Sequence, residues 1–86
     1  MNKSEAIKVL FEINDKCKSN LLRCVSIDRP SSQIVETSNG YQIRMKCEVG
    51  TYAKKCMATV LNKYNLGLRE ENGFVIIYKL QDGSYL

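Results

Sequence analysis

Apolar and polar residues along this chain follow two kinds of spacing. Over Ser4–Cys24, apolar residues recur at intervals of three and four, which predicts an amphipathic helix. Asn2 and Glu5, three residues apart, are typical of a capped helix start. A second helix is predicted over Thr51–Asn65, where the apolar positions form an unbroken helical stripe. The members of that stripe are Ala53, Cys56, Met57, Val60, Leu61 and Tyr64.

Each predicted helix is followed by two strand-like runs with Asn-Gly between them. The first hairpin is predicted over Gln33–Val49, because apolar residues alternate strictly with polar ones after Gly40. The second is predicted over Leu66–Leu80, with its turn at Gly73. In both hairpins we favour a three-residue loop that ends in glycine at positive φ over a two-residue Asn-Gly turn. The longer loop keeps Glu36 off the apolar face.

These loops determine which side chains face solvent. They pair Val35 with Ile43 in the first hairpin and Leu68 with Ile76 in the second, because the register of a hairpin follows from its loop length. The same pairing turns three aromatic side chains towards the core. They are Tyr41, Phe74 and Tyr78.

The order helix–hairpin–helix–hairpin (αββαββ) predicts a two-layer α+β fold, a four-stranded antiparallel sheet with two helices on one face. The 86 residues are enough for one domain, residues 1–86, in which 80–86 form a C-terminal tail. Val25–Ser32 is predicted to be the linker between the first helix and the first hairpin, because Pro30 forces its predecessor out of helical geometry.

The charge balance and the predicted register together indicate a candidate binding surface. The chain has 13 basic and 9 acidic residues, a net charge of +4, which permits nucleic acid as a partner without requiring it. The outer side of the sheet is predicted to mix cations with apolar side chains, a surface that suits nucleic acid, a protein partner or a second copy of the chain. Its predicted residues are Arg44, Lys46, Arg69, Val75, Ile77 and Lys79.

Several kinds of chemistry are excluded or disfavoured. The chain has no histidine, which removes the Ser-His-Asp and Cys-His nucleophile pairs and the commonest zinc ligand. Its four cysteines contain no close pair of the zinc-binding kind, so we expect neither a metal nor a cofactor. No apolar run approaches the length of a membrane span, and no apolar signal core leads the chain, so we expect a cytoplasmic protein without a membrane partner.

The cysteines leave alternatives open. The first interpretation is four free thiols that act as small core hydrophobes. A structural disulfide is an alternative, and so is metal or redox chemistry. Under the enzymatic hypothesis, Cys24 or Cys56 would be the reactive thiol of a redox or sulfur-transfer activity.

The element order also carries a resemblance. Alternation through Gln42–Lys46, a helix and the return through Phe74–Ile77 resemble the core half of the LAGLIDADG endonuclease-like fold. That fold has an acidic motif at a helix end, and this chain has Cys17–Leu22 where a Gly-x-x-Asp pattern would stand. The resemblance therefore implies a fold and carries over no site residue.

The sequence thus predicts a small non-catalytic protein that binds nucleic acid or a protein partner through the outer face of its sheet. A homodimeric interaction module and the cysteine-based activity are the alternatives.

Overall fold

In a computed structural model, two helices pack on one face of a four-stranded antiparallel sheet, and the structure describes residues 1–17, 29–47 and 49–80. The α+β class and the order αββαββ are as predicted. The parts of the first helix, the linker and the C-terminal tail that were predicted over residues 18–28 and 81–86 lie outside the described residues. The elements are α1 (Lys3–Cys17), a 3-10 helix (Pro30–Gln33), β1 (Ile34–Thr37), β2 (Gly40–Lys46), α2 (Thr51–Lys63), β3 (Leu66–Glu71) and β4 (Phe74–Lys79).

The start of α1 confirms the predicted cap. The backbone N–H of Glu5 donates to Oδ1 of Asn2 at 2.7 Å, which satisfies one of the amides that the first helical turn leaves without a partner. The inward face of α1 follows the predicted periodicity. Its buried residues are Ala6, Val9, Leu10, Ile13 and Cys17.

The two hairpins join into one sheet through their second strands, giving the order β1-β2-β4-β3. Ile43 pairs with Ile77 and Met45 with Val75, and all four side chains are fully buried beneath the helices. Both helices contribute buried side chains to this core. The buried residues of α2 are Ala53, Met57, Val60 and Leu61.

The predicted register of the second hairpin is wrong by one residue. Glu71 pairs with Phe74, so the loop contains only Asn72 and Gly73, with φ of 51° and 81°. Two successive residues at positive φ make the turn whose twist matches that of the flanking strands. Since side chains alternate along a strand, the slip of one residue turns all of β4 over, and Ile77 rather than Ile76 faces the helices.

The first hairpin also departs from its predicted register. Ile34, not Val35, pairs with Ile43, and Thr37 pairs with Gly40 across a two-residue loop. Gly40 has the predicted positive φ, 106°, and a Cβ at this position would lie 2.9 Å from the carbonyl oxygen of Met1. Glycine is therefore required here both by the backbone angle and by the close approach of the chain's first residue.

A disulfide between Cys17 and Cys56 joins α1 to α2, with 5.9 Å between their Cα atoms. Cys47 is disulfide-bonded as well. The interpretation of these cysteines as free thiols is therefore wrong. Periodicity correctly placed Cys17 and Cys56 on the inward stripes of two different helices, but only the packing of those helices brings them within bonding distance.

A polar contact also connects the two helices near the end of α2. Glu12 accepts a hydrogen bond from the hydroxyl of Tyr64 at 2.7 Å and one from Nζ of Lys63 at 3.0 Å. The bond from Tyr64, followed by that from Lys63, holds the pKa of Glu12 below its usual range. These contacts lie in the helical layer, opposite to the exposed side of the sheet.

Candidate functional site

The side of the sheet that faces away from α1 and α2, here named the outer face, carries a mixed set of aromatic, aliphatic and cationic side chains. The observed register assigns them, because directly paired residues point to the same side of an antiparallel sheet. The residues of the outer face are Val35, Gln42, Arg44, Lys46, Gly67, Arg69, Glu71, Phe74, Ile76 and Tyr78.

Ile76 lies at the centre of the outer face. Only 1% of its surface is exposed, yet it does not belong to the core cluster beneath the helices. Arg44 and Arg69 are its direct partners on the two neighbouring strands. Long arginine side chains bury their aliphatic stems and keep their charge in water, so this arrangement shields Ile76 and leaves both guanidinium groups at the surface.

Each arginine stacks on an aromatic ring at a different end of β4. The guanidinium carbon of Arg44 lies 5.6 Å from the ring centre of Phe74, and that of Arg69 lies 5.3 Å from the ring centre of Tyr78. Both distances are within the range of cation–π contacts. The outer face therefore presents two arginine–aromatic pairs, one on each side of Ile76.

Depressions lie beside both pairs. One of about 470 Å³ lies at the Tyr78 end, where Gln42 and Arg69 contribute to its walls. At the Phe74 end, one of about 150 Å³ lies beside Arg44 and another of about 370 Å³ is lined by Phe74 and Glu71. The ring of Tyr78 extends across the backbone of its partner Gly67, since a Cβ there would be only 2.7 Å from Cζ of Tyr78. The missing side chain of Gly67 thus makes room for the aromatic ring.

The charge of the outer face is positive but not uniform. Arg69 forms an ion pair with Glu71 at 2.8 Å, and 46% and 55% of the two side chains remain exposed. Lys46 and Arg44 are also exposed, and no ion pair of the described residues involves either one. Arg44 and Lys46 on β2 are therefore the cations of this face best placed to meet an anion.

Three of the six predicted site residues lie together on the outer face. Arg44, Lys46 and Arg69 are there, and their binding role stays a prediction. The placement of Val75 and Ile77 on that face is wrong, because both are fully buried in the core. Their burial follows from the two-residue loop, which reverses the facing of β4.

The placement of Lys79 on the outer face is also wrong. It pairs with Leu66, whose side chain is buried on the helical side. Nζ of Lys79 donates to the carbonyl oxygen of Tyr64 at 2.8 Å, at the carboxyl end of α2. A cation is favourable there because the last carbonyl groups of a helix carry partial negative charge.

Sequence reasoning did not place Phe74, Ile76 and Tyr78 on the outer face. The run from Phe74 to Tyr78 is apolar throughout, so it has no alternation from which a facing can be read. The available signal was the Asn-Gly pair itself, which is the strongest short-range indication of a two-residue turn. That turn alone would have placed Phe74 opposite Glu71 and moved both aromatic rings of β4 outwards.

Metal binding and thiol chemistry are the catalytic alternatives that the described residues address. Across 1–17, 29–47 and 49–80, no group of three His, Cys, Asp or Glu side chains could hold a metal ion. Cys56, one of two thiols considered for redox or sulfur transfer, is bonded to Cys17, and Cys24 lies outside the described residues. Neither described helix has the length and apolar character needed to cross a membrane.

Comparisons with models of protein families, with curated proteins and with solved structures found no match to this chain. The likeness to the LAGLIDADG endonuclease-like fold thus remains a resemblance in element order.

Proposed function

We propose that this protein binds single-stranded nucleic acid through the outer face of its sheet. The observation that carries the proposal is the pair of arginine–aromatic contacts on either side of Ile76. Proteins that bind single strands combine aromatic platforms, on which bases stack, with cations that follow the backbone. A four-stranded sheet with aromatic residues on its open face is one of the common ways to present such platforms.

The positions of the side chains suit this role. Phe74 and Tyr78 are four residues apart on one strand, which separates them by about 13 Å. Arg44 and Lys46 flank the Phe74 end from β2, so phosphates there would meet two exposed cations. The guanidinium planes of Arg44 and Arg69 can themselves stack on bases, and they can move aside when a base takes their place on the ring.

The alternatives have weaker support. A homodimer through the outer face would depend on Val75 and Ile77 as its exposed apolar contacts, and both are already buried within the monomer. A protein partner would be expected to use a larger apolar patch than Ile76, which the arginine stems already shield.

The cytoplasmic location also stays a prediction, and the Cys17–Cys56 disulfide weighs against it because disulfides persist mainly in oxidising compartments.

The test is a titration of fluorescent single-stranded oligonucleotides, about 12 nucleotides long, at several salt concentrations. For single strands, each lost phosphate contact lowers the slope of log affinity against log salt by about 0.7. We expect this change for Arg44→Ala and for Lys46→Ala. Lys55→Ala removes the same charge from the exposed side of α2 and should leave the slope unchanged.

Two further variants separate stacking from charge. Phe74→Leu and Tyr78→Leu keep apolar side chains but remove the rings, so affinity should fall by about fivefold or more at an unchanged salt slope. A sizing column run alongside detects any dimer. The proposal is wrong if the wild type binds no oligonucleotide, or if Lys55→Ala weakens binding as much as Arg44→Ala does.

A further inference from the structure

The two ends of the outer face differ in the polar groups that surround the aromatic ring. At the Tyr78 end the depression of about 470 Å³ is lined by an amide side chain, Gln42, as well as by Arg69. A volume of this size falls in the range of small-molecule sites. Two depressions, of about 150 Å³ and about 370 Å³, are lined by Phe74 at the other end. The Phe74 end has the carboxylate of Glu71 and the amide of Asn72, which is exposed in the turn between β3 and β4.

Gln42 is next to Tyr78 on the sheet. It precedes Ile43, the direct partner of Ile77, so the same register brings Gln42 opposite Tyr78 on the neighbouring strand. Its side chain is half-buried, and within the described part of the chain it has no hydrogen-bond partner. A side-chain amide carries both a donor and an acceptor, so it can form two hydrogen bonds to one edge of a planar ring.

We propose that Gln42 selects the base that stacks on Tyr78, with adenine preferred. This inference rests on the proposed function and deepens it. A base on the Tyr78 ring turns one edge towards β2, where the Gln42 carbonyl accepts from the N6 amino group and its NH₂ donates to N7, the pairing by which glutamine recognises adenine. Arg69 supplies positive charge beside the same base. The amide at the Phe74 end, that of Asn72, is exposed in the turn rather than half-buried on a strand as Gln42 is, so the selection is assigned to the Tyr78 end.

The experiment measures base preference as a ratio of affinities. Fluorescent homopolymers of deoxyadenosine, deoxycytidine and thymidine, each about 12 nucleotides long, are titrated with the wild type and with variants. We expect the wild type to bind deoxyadenosine at least about fivefold more tightly than thymidine. In Gln42→Ala this ratio should fall below about twofold. Asn62→Ala removes the same amide from the exposed side of α2 and should leave the ratio as in the wild type.

A second variant reverses the chemistry at the same position. Gln42→Glu offers only acceptors, which suits the amino group of cytosine and repels N7 of adenine, so the preference should move from deoxyadenosine towards deoxycytidine. Equal binding of all three homopolymers by the wild type would overturn the role of Gln42 and leave the proposed function standing. An unchanged ratio of deoxyadenosine to thymidine affinity in Gln42→Ala would also overturn the role of Gln42 and leave the proposed function standing. Failure of every homopolymer to bind would overturn the proposed function and this inference together.

Discussion

At the scale of single residues, the two turn glycines have different environments. Gly40 has φ of 106° and is crowded by the backbone of Met1, whereas Gly73 has φ of 81° and open space around its Cα. At Gly73 the backbone angle is therefore the sole reason for glycine, and a substitution there measures the angle without a steric clash.

We expect Gly73→Val to lower the free energy of unfolding by about 1–3 kcal/mol, because a β-branched residue resists positive φ. Gly73→Asn should cost distinctly less, since asparagine tolerates the left-handed region, as Asn72 beside it does at φ 51°. Urea denaturation of the three proteins gives the comparison. If Gly73→Val is as stable as the wild type, Gly73 does not have the positive φ that this turn requires.

At the scale of elements, the helical layer is held by more than apolar packing. The disulfide between Cys17 and Cys56 closes a loop across 39 positions of sequence, from the last residue of α1 to the middle of α2. A small domain has a thin margin of stability, so one such bond is a large fraction of the total.

In the chain-entropy estimate, a loop of 39 residues corresponds to about 4 kcal/mol of stabilisation. We expect the double variant Cys17→Ala, Cys56→Ala to melt more than about 10 °C below the wild type under non-reducing conditions. A chelator should not change the melting temperature of either protein. Equal melting temperatures for the two proteins, or accessible thiols at both positions in the unreduced wild type, would contradict the bond.

At the scale of the whole molecule, β4 separates two apolar environments. Ile77 faces the core between Ile43 and Leu68, while Ile76 faces outwards between two arginines. Both are almost completely buried, so burial alone does not distinguish them. What differs is the route to solvent, which is open on the outer face and closed beneath the helices.

A lysine substitution at each of these neighbouring positions tests which side of the sheet each residue faces. Ile77→Lys leaves an unpaired charge in the core, and we expect it to lower the free energy of unfolding by at least about 3 kcal/mol or to prevent folding. Ile76→Lys can extend its ammonium group to water and should cost clearly less. Thermal and urea denaturation compare the two. A larger loss for Ile76→Lys would support the three-residue loop that the sequence pattern favoured.

The sequence by itself determined the two helices, the four strands, their order along the chain and the inward stripes of α1 and α2. These features depend on local spacing, capping and turn residues, as the Asn2 cap and the alternation through Arg44 and Lys46 illustrate. Three cations of the candidate site, Arg44, Lys46 and Arg69, could be placed in the same way.

The structure decided between the two turns that the sequence allowed before β4, and with that turn the facing of β4 and of Lys79; it also decided the pairing of Cys17 with Cys56. A uniformly apolar strand carries no periodic signal, so its facing depends on one residue of loop length at Asn72 and Gly73. A disulfide between two helices depends on how they pack, which spacing along either helix does not encode. The aromatic part of the candidate site follows from that loop, because the two-residue turn places Phe74 and Tyr78 outside, where arginines from both neighbouring strands meet them.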